Sequence, residues 1–144
     1  MKKQDLILLM MLVITSCAFA QPEEDQVKAV IESAYIGGIH NGGPVDDIRK
    51  GFHPSFVMFV ASNNDVKQTP IEEWITNIEK NRATARTDGS KATAKFITVS
   101  VVGNSANVQL ELYRKDKKVF TDNLLLYKFN EGWRIVSKTF YRHP

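Results

Sequence analysis

Asp122 stands between Thr121 and Asn123 inside a run, Phe120 to Phe129, that is otherwise largely apolar. A carboxylate in such a strand costs desolvation energy unless it is paired or exposed. Directed into a pocket, it could serve as a general base or hydrogen-bond a ligand ring; tied to a neighbouring hydroxyl, amide or backbone group, it is purely structural. His53, between Phe52 and Pro54, offers the same choice, since an imidazole can move a proton at neutral pH or can fix a chain corner through the backbone. Tyr35, Tyr113 and Trp74 combine flat apolar bodies with polar tips, the equipment of a pocket for a planar ligand. Tyr35 and Trp74 suit that role best, because each lies on a helix face that should look toward a sheet, although aromatics at core spacing also simply fill volume. The candidate ligand-binding residues are therefore Tyr35, His53, Trp74, Tyr113 and Asp122, and no residue is assigned a catalytic role. Isomerase-type chemistry would need a base and an oxyanion donor converging on one point, which spacing does not reveal.

His40 falls at a helix end, where it favours the dipole, and His143 lies in the tail. With no His-x-x-x-His spacing and a single cysteine, Cys17, a transition-metal site is not expected. No Gly-x-Ser-x-Gly elbow, phosphate loop or dinucleotide fingerprint occurs, so the sequence implies no cofactor.

The elements that must position these residues follow from periodicity. Pro22-Glu23-Glu24-Asp25 opens a helix, and Val27, Val30, Ile31, Ala34, Tyr35 and Ile39 give it one apolar face up to Asn41-Gly42-Gly43. Pro44 begins a short second helix that ends at Gly51, and Phe52-His53-Pro54 turns the chain into a sheet. Phe56 to Ala61 reads as a strand that returns through Val66 to Gln68. Thr69-Pro70-Ile71-Glu72 then predicts a capped helix, with Thr69 as cap, Pro70 in the first helical position and Glu72 completing a capping box, ahead of the stripe Ile71, Trp74, Ile75 and Ile78. After a polar loop from Asn81 to Gly89 come four strands, about residues 91–102, 105–115, 118–129 and 133–141. In the second, Ala106, Val108, Leu110 and Leu112 alternate with Asn107, Gln109, Glu111 and Tyr113, the pattern of a half-buried antiparallel strand. The third is apolar on both faces, which suits a central strand or one whose outer face meets a second subunit.

Residues 1–20 read as an address: Lys2 and Lys3 precede the apolar run Leu6 to Ile14, and Ala18-Phe19-Ala20 supplies a small-x-small cleavage site. The run is shorter than the ~20 apolar residues of a membrane-spanning helix. The expected mature chain, residues 21–144, starts at Gln21 and is exported, periplasmic or secreted. The rival is a membrane-anchored lipoprotein acylated at Cys17, since Ile14-Thr15-Ser16-Cys17 is a loose lipobox; contact with a membrane is expected only in that case. A 20-residue leader leaves 124 of the 144 residues, enough for one domain with a real core. The 19 basic and 16 acidic residues become 17 and 15 once Lys2, Lys3 and Asp5 depart, so no nucleic-acid partner is expected. The cluster Arg114-Lys115-Asp116-Lys117-Lys118 reads as a solvated hairpin turn, because an acid interrupts it and no aromatic platform is interleaved.

Long helix, short helix, hairpin, capped helix and a four-strand meander, in that order, resemble the nuclear transport factor 2-like superfamily of α+β cone folds. The local motifs resemble its lumazine-binding branch, near the SnoaL-like polyketide cyclases. They are Phe52-His53-Pro54, the stretch Ile97 to Ala106 across the first long hairpin, Phe120-Thr121-Asp122, and Gly132 to Phe140 at the end. The resemblance implies a curved antiparallel sheet wrapped around N-terminal helices, a conical pocket between them, and homodimers formed through the outer face of the sheet. The leading expectation is an exported small-molecule-binding protein with an apolar pocket for a planar or hydrophobic ligand. The alternatives are a cyclase-, isomerase- or dehydratase-like enzyme using Asp122 or His53 as base, and a non-catalytic interaction module with a filled cone.

Overall fold

The computed structural model describes residues 21–82 and 89–144. The leader expected over residues 1–20, with Cys17 and the Ala18-Phe19-Ala20 site, lies outside the described residues, as does most of the expected loop after Asn81. Among the described residues no helix is long and apolar enough to cross a membrane.

The first helix opens as α1 (Glu23–Val30), capped by Pro22, with Glu23, Glu24 and Asp25 in the turn where negative charge complements unpaired N–H groups. Its continuation, Ile31–His40, is π-helical, where the periodicity predicts one α-helix throughout. Gly37 and Gly38 weaken the α-helical turn in this stretch. The Gly43 N–H then closes the end by donating to the Gly37 carbonyl at 2.9 Å. Ile31, Ala34, Tyr35, Ile36, Gly38 and Ile39 are all buried, so the segment is covered around most of its circumference. One cover is α2 (Val45–Gly51), which packs across it. Their approach requires glycine at position 51, because a side chain there would collide with Cβ of Ala34.

β1 (Phe52–Ser62) is longer than its sequence signal and absorbs Phe52-His53-Pro54 as an irregular stretch between two pairing registers. It returns into β2 (Asp65–Pro70) through Asn63 and Asn64, whose φ angles of 51° and 60° form the turn that matches strand twist. The cap expected for α3 (Ile71–Asn81) does not form. Pro70 is the capping residue, and no side chain bonds the helix start. Thr69 is instead held extended opposite Met58 in the β1–β2 ladder and buried there, while Glu72 pairs with Arg49 of α2.

β3 (Ala92–Val102), β4 (Ser105–Arg114), β5 (Lys117–Phe129) and β6 (Gly132–Arg142) make the expected meander. The six strands form one sheet in the order β2-β1-β6-β5-β4-β3. It is mixed rather than wholly antiparallel, because β1 runs parallel to β6. A parallel neighbour needs a long crossover, and the chain from β2 to β5 supplies it. Register shifts in β3/β4, β4/β5, β5/β6 and β1/β6 bend and twist the strands into the cone.

The inner face follows the alternation read from sequence: Ala106, Val108, Leu110 and Leu112 of β4 meet Leu124 and Leu126 of β5 and the helices. Each fully buried leucine in that layer contributes roughly 1.5–3 kcal/mol. In β6 the phase changes at an extra residue, Val136, since Leu126 faces Ile135 while Leu125 faces Ser137. Trp133 and Ile135 point inward before the bulge, and Lys138 is the buried residue after it.

Candidate functional site

That bulge delivers a lysine to the middle of the core. Lys138 lies opposite Leu124, and Asp122 lies opposite Phe140, so the two charged residues are diagonal neighbours on the inner face of β5 and β6. Asp122 is fully buried and Lys138 is 4% exposed. The Lys138 ammonium lies 2.8 Å from Oδ1 of Asp122, and the Tyr35 hydroxyl donates to Oδ2 at 2.7 Å. Burial pulls the Lys138 pKa down, with Asp122 opposing the shift. Burial, the Asp122 charge and the hydrogen bond together hold the Tyr35 hydroxyl well above its usual pKa, so it remains a donor. Four rings complete the shell: Lys138 Nζ is 4.1 Å from the centre of Phe140, 5.3 Å from Tyr35, and 5.8 Å from both Trp74 and Phe120. Negative ring faces and one carboxylate take the place of water around this cation.

Beside it is a cavity of about 300 Å³, walled by Ile39, Met58, Trp74, Ile78, Phe120 and Phe140, with Lys138 and His40 as its polar members. Its volume lies at the lower end of the range for small-molecule pockets, room for one small ring system. His40 is set in the wall by two ties at the end of the π-helical segment. The Asn41 side chain bonds both the N–H and the carbonyl of Ala92, at 2.7 and 3.0 Å. Arg114 donates to the carbonyls of His40 and Ser90, at 2.7 and 3.0 Å. The His40 ring meets Tyr35 edge-on at 4.7 Å, and its buried Nε2 has no hydrogen-bond partner. Burial first, then the charges of Lys138 and Arg114, lower its pKa to about 3, so the imidazole is neutral.

Of the five residues singled out in the sequence, Tyr35, Trp74 and Asp122 come together here. His53 and Tyr113 do not. His53 accepts a hydrogen bond from the Ser55 N–H at 3.1 Å and stacks on Phe129, in the irregular start of β1. Tyr113 shares the face of Glu111 across the sheet from the core, donating to it at 2.7 Å beside Lys118. Asp122 is enclosed, with both oxygens engaged, rather than presented to the cavity. Sequence reasoning missed Lys138 and gave His40 only a dipole role. The signal for Lys138 was the adjacent pair Ile135-Val136, where apolar residues change parity. Among the described residues no three His, Cys, Asp or Glu side chains gather as a metal site.

Residues 22–141 match the model of the family described as "Putative lumazine-binding", and the chain belongs to that family. No curated protein matches it. Among solved structures it is similar to an NTF2-like protein of unknown function from Shewanella baltica, at 22% identity over 85% of this chain and 94% of the other, with a TM-score of 0.64. It is also similar to an NTF2-like protein of unknown function from Silicibacter pomeroyi, at 18% identity over 83% and 94%, TM-score 0.65. A CaMKII hub from S. rosetta gives 18% identity over 86% and 98%, TM-score 0.63. At these identities the likeness establishes the α+β cone fold alone.

Two outcomes follow from the buried charges. Asp122→Asn should destabilise the protein by about 3–5 kcal/mol, because it leaves the Lys138 ammonium buried without its counter-charge, and adding Lys138→Met should recover most of that loss. Urea unfolding of the single and double variants measures the coupling. For His40, the unfolded chain takes up a proton as pH falls through the ordinary value of 6.5, whereas the folded chain resists protonation down to about 3. The unfolded state thus binds more protons in that window, so stability is full above it and falls on acidification by roughly 1.4 kcal/mol per pH unit. His40→Gln should remove this component, read as a smaller loss of unfolding free energy between neutral pH and about pH 5.

Proposed function

We propose that the protein is an exported small-molecule-binding protein whose cavity accepts a planar or hydrophobic ring compound. The observation that carries this reading is the cavity itself: six apolar or aromatic side chains line it, with Lys138 and His40 as its polar members. Membership of a family named for lumazine binding supports the same reading. Export rests on the leader signals in residues 1–20. The enzymatic alternative draws no support from its two proposed bases, since Asp122 is sealed against Lys138 and Tyr35, and His53 stands outside the cavity. Homodimerisation belongs to the same proposal: Leu125 and Tyr127 are 48% and 47% exposed on the outer face of the central strand β5, an apolar surface that a second copy would cover.

A ring compound entering the cavity should perturb Trp74. In a Trp133→Phe background, which leaves Trp74 as the sole indole, titration with a panel of ring compounds that includes a lumazine should change its emission saturably. No response to any compound would remove the binding reading and favour the interaction module. Light scattering on the mature chain should give the mass of a dimer, and Leu125→Lys should return it to a monomer. A wild-type protein that stays monomeric at high concentration would refute that assembly.

A further inference from the structure

Lys138 is part of the cavity wall, and its amine is a nucleophile once it loses a proton. Of the four rings around Nζ, three, those of Trp74, Phe120 and Phe140, line the same cavity. The nitrogen therefore lies among the surfaces that a ring compound would touch. We infer that Lys138 is a covalent attachment point: its amine condenses reversibly with the carbonyl carbon of a small aromatic or conjugated aldehyde to form a protonated imine, with Asp122 first as base and then as counter-ion.

This inference rests on the binding reading above and names the reactive group of its ligand. An amine attacks a carbonyl only in its uncharged form, which an ordinary lysine rarely holds at neutral pH. Burial lowers the Lys138 pKa and makes that form easier to reach. The proton also has a place to go. Oδ1 of Asp122 is 2.8 Å away and accepts from no other group, while the Tyr35 hydroxyl holds Oδ2 and so positions the carboxylate. Nζ gives one proton to Oδ1, and its lone pair forms a C–N bond as the carbonyl π electrons move to oxygen. That oxygen takes a second proton from the nitrogen, giving a carbinolamine. Asp122 then returns its proton to the hydroxyl, the C–O bond breaks, water leaves, and the nitrogen lone pair closes the C=N bond. One ammonium and one aldehyde become one iminium and one water. Charge is conserved at the site as well: the iminium stands where the ammonium stood, so Asp122 stays paired and the rings still face a cation. An acylating ligand would instead leave a neutral amide and a buried carboxylate without its counter-charge, which is why the pair favours an aldehyde.

Cinnamaldehyde and the matching alcohol, cinnamyl alcohol, test this in the Trp133→Phe background. Both should quench Trp74 saturably, since both carry the ring body. With sodium cyanoborohydride present at neutral pH, only the aldehyde should add irreversibly, raising the protein mass by that of the aldehyde less one oxygen atom. Peptide mapping should place this label on Lys138, about tenfold faster than on any surface lysine, the ratio that one unit of lowered pKa gives. Excess cinnamyl alcohol should slow it. Combining Asp122→Asn with Lys138→Met, which removes both buried charges, should abolish the fast label while quenching by the alcohol persists; the peptide map alone decides if that variant folds poorly. Quenching by both compounds with no label on Lys138, or label spread evenly over surface lysines, would overturn the inference and leave the binding reading intact. If neither compound quenches Trp74 and Lys138 stays unlabelled, both fall.

Discussion

An ammonium group sealed inside an apolar core has no water to solvate it, so the fold must supply its surroundings atom by atom. Lys138 sets that requirement here. Asp122 answers it from the neighbouring strand, Tyr35 satisfies the second carboxylate oxygen, and Phe140, Phe120 and Trp74 close the rest of the shell. These partners come from the π-helical segment, α3, β5 and β6, so one charge ties two helices to the two central strands of the sheet. A pair of this kind is weak evidence for stability, because apolar residues of similar volume often do as well. What it does impose is a single arrangement, since sliding β6 by one residue would strand both charges.

Around this centre the remaining ties are peripheral. Arg49 and Glu72 join α2 to α3 through two hydrogen bonds, but both are well exposed, so the pair contributes little. Asn41 does more, because its carboxamide stands in for a strand partner at the start of β3 and thereby sets where the helical segment ends. At the other pole Glu23 accepts hydrogen bonds from Lys128 and from the Trp133 indole, which lower its pKa and pin the first helical turn to the β5–β6 hairpin.

Periodicity made much of this legible. The alternation in β4, the apolar stripe of α3 and the oddity of an acid in β5 are local properties of the chain, and they led to the sheet, to Trp74 and to Asp122. Lys138 was hidden by a non-local one. Counting in twos from Trp133 and Ile135 puts it on the outer face, and only the extra residue at Val136, whose consequence appears when β6 pairs with β5, turns it inward. Thr69 misled for a related reason: its capping signal is sound for an isolated helix, but pairing with Met58 outweighs it. The parallel junction of β1 with β6 joins segments distant in sequence, and no local pattern marks it. His53 and Tyr113 share their residue types with pocket residues, yet facing is decided by register, which their types do not encode.

The clasp at Glu23 has a consequence for orientation. β5 begins at Lys117, beside the end of β4 at Arg114 and the end of β6 at Arg142, and finishes beside Lys128, the residue that holds Glu23. Thirteen residues of extended strand separate the two ends by roughly 40 Å. The described chain therefore begins, at Gln21, at the end of the molecule opposite Lys117. Were the protein held to a bilayer through residues ahead of Gln21, the clasp would turn the opposite end of the sheet, where β4 and β6 finish and β5 starts, away from the lipid.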